Sequence, residues 1–189
     1  MRTDQQSTPV MGALGEGAPM TTPSVCDTLV VQSGSVADTQ AVGAALVPLL
    51  RAGDVVLLGG DLGAGKTALT QGLARAAGVD EVVTSPTFTL LRSYRTGIGA
   101  DLLHADVYRL EQLSEVVDLG LPEQLEDGAF AVIEWGERAA AALGPEALHI
   151  TIDIGPGDGE RTLTVRPGGA AWEERWPALT SALAPGTPA

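Results

Sequence analysis

The sequence has a single cysteine, a single lysine and few aromatic residues in its 189 positions. One thiol, Cys26, cannot form an intramolecular disulfide, and a chain without disulfides fits a reducing compartment. Basic residues are also scarce, since 11 of them stand against 24 acids and leave a formal net charge of −13. This charge excludes an extended nucleic-acid surface, which needs positive side chains to displace counterions.

Long apolar runs are missing as well. The most apolar stretch, residues 41–50, is interrupted by Pro48 and is shorter than the roughly 20 residues that a membrane helix needs. No apolar run follows Arg2, as it would in a secretory signal. We therefore predict a cytoplasmic protein without membrane association.

What the sequence does contain is an alternation of strand-like and helical segments between two biased ends. Residues 1–25 are rich in Gly, Pro, Ser and Thr without periodicity, which is typical of a disordered leader. Residues 26–168 are predicted to form one α/β domain, and residues 169–189 a C-terminal helix and tail that are partly disordered. The predicted fold is a mostly parallel sheet flanked by helices, with antiparallel hairpin strands.

Local patterns place the elements of this domain. We expect it to open with a helix capped by Asp38 and Thr39. The apolar run 54–59 indicates a strand buried on both faces, and the amphipathic stripe from Lys66 indicates a helix that Gly78 ends. Further patterns predict hairpin strands at 88–94 and 101–104, two short helices within 111–126, a buried strand at 129–133 and a last hairpin at 148–154 and 161–165.

A glycine-rich segment joins the first buried strand to the following helix. Gly60 and Gly65 bracket four residues ahead of Lys66 and Thr67, which matches G-x-x-x-x-G-K-[ST] in the context that this motif requires. Glycines let the loop wrap a phosphate with its N–H groups, the lysine reaches the β- and γ-phosphates, and the threonine hydroxyl ligates Mg²⁺. Residues 26–168 are therefore predicted to be a P-loop ATPase domain. Its nucleotide-contacting residues are Gly60, Asp61, Leu62, Gly63, Ala64, Gly65, Lys66 and Thr67.

Lys66 is the sole lysine of the sequence. It falls where a slim point charge is needed rather than the planar fork of an arginine, so it is a predicted catalytic residue. The scarcity of lysine also favours ATP over GTP. Guanine-specific P-loop proteins commonly read the base with an N-K-x-D segment, for which this chain has no second lysine.

Acidic residues follow two apolar segments. Glu134 comes directly after the strand 129–133, where a P-loop protein anchors Mg²⁺, so Thr67 and Glu134 are the predicted metal residues. Asp106 lies two residues after His104, and alternate residues of an extended segment face the same side. The pair can act on the γ-phosphate or its water, or can be structural, and the spacing leaves both alternatives open.

Four segments occur in an order that resembles the TsaE (YjeE) family from about residue 35 to residue 166. They are Gly60–Thr67, Ser85-Pro86-Thr87-Phe88, His104-Ala105-Asp106-Val107-Tyr108-Arg109-Leu110 and Glu134-Trp135. The resemblance implies a Mg²⁺-dependent P-loop ATPase that is accessory to the proteins TsaB and TsaD in forming N6-threonylcarbamoyladenosine at position 37 of tRNA. The tRNA would be contacted only indirectly, through these partners, which agrees with the acidic charge.

The resemblance also implies roles for single residues. Thr67 and Glu134 match Mg²⁺-associated positions, and Asp106 matches an essential acid of the nucleotide site. Thr39 and Arg161 match nucleotide-contacting positions. The segment 85–87 resembles a switch loop whose hydroxyl senses the metal and the γ-phosphate, although its proline can also simply start a strand. Because few aromatics pin the loops around Thr87 and Asp106, we expect both residues to be loosely placed until a partner orders them.

Two other functions share these signals. A small-molecule P-loop kinase has the same loop and metal but usually an arginine-bearing lid, whereas residues 136–145 are predicted to be a short Ala-rich helix with only Arg138. A nucleotide-sensing interaction module would bind ATP with negligible turnover. Both alternatives remain open at this stage.

Overall fold

The computed structural model describes residues 28–110, 115, 119–138, 140 and 146–184. The predicted leader at 1–25, Cys26, most of the first short helix within 111–126, most of the predicted helix 136–145 and residues 185–189 lie outside the described residues.

One seven-stranded sheet organises the described residues, in the order β1-β7-β6-β2-β5-β4-β3. The strands are β1 (Leu29–Ser33), β2 (Val55–Gly59), β3 (Leu91–Tyr94), β4 (Leu102–Asp106), β5 (Phe130–Glu134), β6 (Leu148–Ile154) and β7 (Arg161–Arg166). The central strands β6, β2, β5 and β4 are parallel neighbours, while β7 and β3 pair antiparallel with the strands beside them. The predicted fold class is confirmed.

Helices cover both faces of the sheet. Those whose bounds the described residues give are α1 (Val36–Leu46), α2 (Lys66–Ala76), α3 (Leu121–Glu126) and α4 (Gly169–Ala182), with short 3₁₀ turns at Val47–Leu49 and Gly136–Arg138. One core cluster joins α1, α2 and α4 to alternate strand residues such as Leu102 and Val132. The other cluster joins Leu121 of α3 to strand residues on the opposite face of the sheet, such as Leu103 and Ile133. Strand β2 is buried throughout, as its apolar run predicts. None of the helices in the described ranges combines the length and apolar character needed to span a membrane.

Helices α1 and α2 lie unusually close together because two glycines face the partner backbone. A Cβ atom on Gly43 would come within 2.1 Å of the Leu69 carbonyl oxygen, and one on Gly72 within 1.9 Å of the Gln40 carbonyl oxygen. Real Cβ atoms do not approach so closely, so both positions require glycine. The contact packs the middle of α1 against the middle of α2.

The structure corrects the predicted beginning of the domain. The described chain opens with strand β1 rather than with a helix, and α1 is capped by Ser35, whose hydroxyl accepts a hydrogen bond from Asp38 N at 3.2 Å. Thr39 is not the cap, since its hydroxyl lies 2.8 Å from that of Ser33. The pattern misleads here because β1 is short and its partner β7 lies some 130 residues further along the chain.

The hairpin prediction needs a second correction. Residues 88–90 form a turn rather than the start of a strand, with Leu90 at φ 64° and its N–H donating to Pro86 O at 2.7 Å. The strand β4 continues to Asp106, because it pairs in parallel with β5 up to Glu134. The boundaries predicted for β6, for the start of α2 and for Gly78 after its end are confirmed.

Helix α4 belongs to the same core as the sheet, although the sequence analysis set residues 169–189 apart. Trp172 and Leu179 are fully buried in the cluster with α1. Arg175 makes a two-pronged ion pair with Asp54, at 2.6 and 2.8 Å, and also donates to Leu49 O at 2.7 Å. Its guanidinium lies 3.8 Å from the Trp172 ring centroid. The ion pair thus fastens α4 to the turn that precedes β2.

Removing Arg175 should destabilise the fold, because the buried carboxylate of Asp54 would lose its counterion. We expect Arg175→Met to lower the free energy of unfolding by about 3–5 kcal/mol in urea titrations. The matched control is Glu174→Gln, which disrupts the exposed pair of Glu174 with Arg51 at 4.0 Å and should change stability by less than about 1 kcal/mol. Equal unfolding midpoints for the two variants would contradict the role given to Arg175.

Candidate nucleotide site

The loop between β2 and α2 has the backbone conformation of a phosphate cradle. Gly60 and Gly65 have φ values of 120° and 114°, which favour glycine. A Cβ atom on Gly60 would also lie 2.2 Å from the Ile152 carbonyl oxygen. Gly65 ends the loop as the N-cap of α2 without a capping side chain. The first N–H groups of α2 are therefore free of a side-chain cap and can bind an anion.

Lys66 begins α2 directly after this loop and is 4 % exposed. Its Nζ donates to the carbonyl oxygens of Gly60 and Asp61, at 2.6 and 2.8 Å, and stands 3.8 Å from the ring centroid of Trp135. Burial lowers the pKa of Lys66, although nearby carboxylates, led by Glu134, oppose this shift. An anion bound in the loop would add a further opposing charge and so raise the pKa of Lys66.

Glu134 connects three elements at the carboxyl end of the sheet. Its Oε1 accepts a hydrogen bond from Thr67 Oγ1 of α2 at 2.7 Å and lies 2.9 Å from His104 Nε2 of β4. Glu134 and His104 are both buried, and Glu134 also pairs in register with Asp106 on the neighbouring strand. The P-loop hydroxyl and the strand-end acid, predicted separately from the sequence, thus meet in one hydrogen bond.

Asp106 is held from three sides. Its Oδ2 accepts hydrogen bonds from Ser85 Oγ at 3.0 Å and Thr87 Oγ1 at 2.7 Å, and its Oδ1 accepts one from Tyr108 N at 3.0 Å. The side chain is 3 % exposed. These hydrogen bonds join Asp106 to the 85–87 segment. That both residues are loosely placed until a partner orders them stays a prediction. Phe88, the next residue, is 85 % exposed.

A cavity of about 380 Å³ gathers these groups. It is lined by Leu62, Gly63, Gly65, Lys66, Thr67, Ser85, Thr87, Asp106, Tyr108, Arg109, Glu134 and Trp135. The three predicted catalytic residues and both predicted metal residues are in this lining. Asp61, Gly60 and Ala64 belong to the loop without lining the cavity. His104 does not line it either, so this residue faces Glu134 rather than the cavity.

The two remaining predicted nucleotide contacts lie outside the lining. Thr39 is 2 % exposed, and its methyl group would lie 3.7 Å from a Cβ atom on Gly65, so it packs beside the P-loop. Arg161 starts β7 and donates from Nε to Ala64 O at 2.8 Å and from Nη2 to Gly63 O at 3.3 Å. Both residues support the loop from outside the cavity.

Four residues near the cavity were not among the predicted site residues. Tyr108 and Trp135 contact each other with ring centroids 4.7 Å apart, and Trp135 has an uncommon φ of 62°. Arg109 lines the cavity and lies 4.7 Å from the ring of Phe88. Glu137 accepts a hydrogen bond from Gly60 N at 3.2 Å. Tyr108, Arg109 and Trp135 lie in the motif segments 104–110 and 134–135, so those motifs could have identified them. No motif in the sequence points to Glu137.

The fold and the loop define a protein of the P-loop nucleotide-binding class. A family model described as "Threonylcarbamoyl adenosine biosynthesis protein TsaE" matches residues 33–163. The chain belongs to the TsaE family.

Curated relatives and a solved structure agree with this assignment. A tRNA threonylcarbamoyladenosine biosynthesis protein TsaE from Streptomyces coelicolor is 45 % identical over 135 residues, which cover 69 % of this chain and 90 % of the relative. The protein of the same name from Bacillus subtilis is 40 % identical over 136 residues, which cover 72 % and 84 %. The crystal structure of Bacillus subtilis YdiB superposes with a TM-score of 0.67 at 32 % identity, covering 82 % of this chain and 93 % of that one.

Arg161 should act on nucleotide binding through the P-loop backbone. Arg161→Met removes two hydrogen bonds to loop carbonyls. We expect roughly 1.4 kcal/mol of their combined contribution to be lost from nucleotide binding, which raises the nucleotide Kd about tenfold. The amides of residues 60–67 should also exchange hydrogen faster in the nucleotide-free protein. Arg166→Met, at the exposed other end of β7, is the control for both measurements. Unchanged exchange would contradict bracing of the loop and leave only a direct nucleotide contact for Arg161.

Proposed function

We propose that this chain is a Mg²⁺-dependent ATPase of the cytoplasm, accessory to TsaB and TsaD in forming N6-threonylcarbamoyladenosine at position 37 of tRNA. One observation supports the catalytic part above all others: Lys66, Thr67, Glu134 and Asp106 line a single cavity at the carboxyl end of the parallel strands. Ligands of open α/β sheets bind at this edge. The curated relatives, whose printed names place them in tRNA threonylcarbamoyladenosine biosynthesis, support the pathway.

The residues at the cavity suit a magnesium–nucleotide complex. Mg²⁺ prefers oxygen ligands and is usually held by one or two carboxylates together with substrate phosphates. Thr67 and Glu134 would hold it, since both line the cavity and a hydrogen bond of 2.7 Å joins them. Bound there, the ion would neutralise charge on the phosphates. Within the described residues, no group of three or more His, Cys, Asp and Glu side chains could hold a metal by itself.

Each of the other side chains has a distinct task in this proposal. The loop N–H groups and the ammonium group of Lys66 bind and orient the phosphates. Asp106 fixes the hydroxyls of Ser85 and Thr87, and so keeps the 85–87 segment beside the cavity where a γ-phosphate would lie. The Trp135 ring lies over Lys66 and excludes water from it on that side, and Tyr108 packs against Trp135.

The partner role rests on charge and on the rim of the cavity. A net charge of −13 disfavours direct tRNA binding and suits a component whose partners contact the nucleic acid. Leu62 and Phe88 are 86 % and 85 % exposed next to the catalytic groups. A protein surface that covers these side chains would close the cavity to water and restrain Arg109, which lies on Phe88.

Lys66→Ala should abolish ATP hydrolysis without unfolding the protein. The ammonium group supplies charge at the phosphates, and within the fold its hydrogen bonds go to the loop carbonyls of Gly60 and Asp61 rather than to the core. We would measure free phosphate, any phosphorylated small molecule and the melting temperature. Arg92→Ala, at an exposed position on β3, is the control. Wild-type turnover of Lys66→Ala would refute the proposed site, and phosphate found on an acceptor would favour a small-molecule kinase.

TsaB and TsaD together should raise the rate of phosphate release, because closure of the exposed rim would complete the site. By linkage, ATP should then tighten the complex, since coupling between two bound ligands is reciprocal. Steady-state phosphate release is measured with and without the partners, and complex affinity with ATP, ADP and no nucleotide. A rate that the partners leave unchanged, together with an affinity that ignores nucleotide, would contradict a partner-gated ATPase.

A further inference from the structure

We propose that His104 is a positioning residue of the magnesium site: its Nε2 donates to Glu134 and fixes the carboxylate that meets Thr67 and the metal. The inference rests on the proposed function, because it assigns the support of that same site. It concerns a residue that the sequence analysis left between a catalytic and a structural role.

The donor direction follows from the chemistry of the acceptor. Glu134 Oε1 accepts from the hydroxyl of Thr67, and an ionised carboxylate has no hydrogen to donate. The 2.9 Å contact with His104 Nε2 is therefore a hydrogen bond only if Nε2 carries the proton. The other ring nitrogen, Nδ1, is buried and has no hydrogen-bond partner among the described residues. Glu134 is thus the polar contact by which the imidazole is oriented in the described part of the chain.

The geometry at Glu134 shows what this hydrogen bond does. Both hydrogen bonds to the carboxylate end on Oε1. They leave Oε2 as the oxygen that Glu134 can present to the cavity it lines. Without His104, the hydroxyl of Thr67 would be the remaining side-chain contact on Oε1, and the carboxylate could rotate about its last bond. A fixed acid is what a metal site needs, because the groups behind the ligands set their orientation.

His104 cannot act on the substrate itself. Its side chain is fully buried, and it does not belong to the cavity lining. It shares a face of β4 with Asp106 and Leu102, and that face packs on the α1 and α2 side of the sheet. The neighbouring strand holds Val132 opposite His104 in the register. His104 thus lies two residues before Asp106 on the same face of β4, in contact with Glu134 and outside the cavity lining.

The first test compares two substitutions of this residue. His104→Met keeps a side chain of similar bulk without a donor, whereas His104→Gln keeps an N–H group at similar reach. We expect His104→Met to raise the Mg²⁺ concentration for half-maximal binding of ADP by about tenfold or more. His104→Gln should restore much of the loss, and ADP binding without Mg²⁺ should be unchanged in both variants. Calorimetry measures all of these quantities without turnover.

A stability control separates positioning from packing. Leu103→Ala, on the opposite face of the same strand, should destabilise the protein by opening a cavity in the other core cluster but leave the Mg²⁺ dependence unchanged. In the nucleotide-free wild type, long-range ¹H–¹⁵N NMR of the imidazole should show a proton on Nε2 of His104. A proton found on Nδ1 alone would overturn the proposed hydrogen bond.

The outcomes distinguish this inference from the proposed function. If the wild type binds ADP with Mg²⁺ dependence and His104→Met shows the same dependence, the positioning role is refuted and the function stands. Equal impairment of His104→Gln and His104→Met would likewise refute it, because packing alone would then explain the loss. If the wild type binds no nucleotide, the proposed function itself fails. A raised Mg²⁺ requirement in His104→Met, restored in His104→Gln, supports the inference.

Discussion

The structure of the site depends on one carboxylate oxygen. Glu134 Oε1 joins β5 to the start of α2 through Thr67 and to β4 through His104. Because β5 is a central strand between β2 and β4, this oxygen is held by the most buried part of the sheet. The position of the Thr67 hydroxyl is therefore fixed by the sheet as well as by the P-loop. The proposed metal ligands Thr67 and Glu134 would therefore have little conformational freedom to lose on binding, which is the physical meaning of a preorganised site.

The rest of the fold keeps the P-loop itself in place. Gly43 and Gly72 let α1 approach α2 so closely that the methyl group of Thr39 reaches the last glycine of the loop. Arg161 holds the loop carbonyls from the far hairpin. The ion pair of Arg175 with Asp54 fixes the turn that leads into β2. The N–H groups of the loop must stay available for phosphate and cannot stabilise its conformation. Hydrogen bonds to its carbonyl oxygens and packing of the neighbouring elements stabilise it instead.

Some parts of the site are specified by neighbouring residues and others by contacts between distant ones, and only the former can be predicted from the sequence. The P-loop is specified by eight contiguous residues whose glycines permit positive φ. The buried strand before it and the helix after it follow from local apolar patterns, so the whole segment can be predicted from the sequence. Glu134 is predictable because a strand-end acid is also a local signal. The contacts that support the loop cannot be predicted in this way. The partners of Arg161 are separated from it by 97 and 98 positions in the sequence, and the partner of Arg175 by 121 positions. Strand β1 was missed for the same reason, as its pairing with β7 is the contact that orders it.

Charge decides how the site can work in so acidic a protein. Lys66 is a cation among carboxylates that include Glu134, Glu137 and Asp106, yet burial still lowers its pKa. The loss of solvent therefore outweighs the attraction of those carboxylates, and the hydrogen bonds of the ammonium group go to two neutral carbonyls rather than to an anionic partner. The three phosphates of a nucleotide would supply that partner, whereas Mg²⁺ would offset the repulsion between them and the two strand-end acids. The phosphates would supply negative charge beside Lys66, and the metal would supply positive charge beside the two acids. Binding of either one should therefore favour binding of the other.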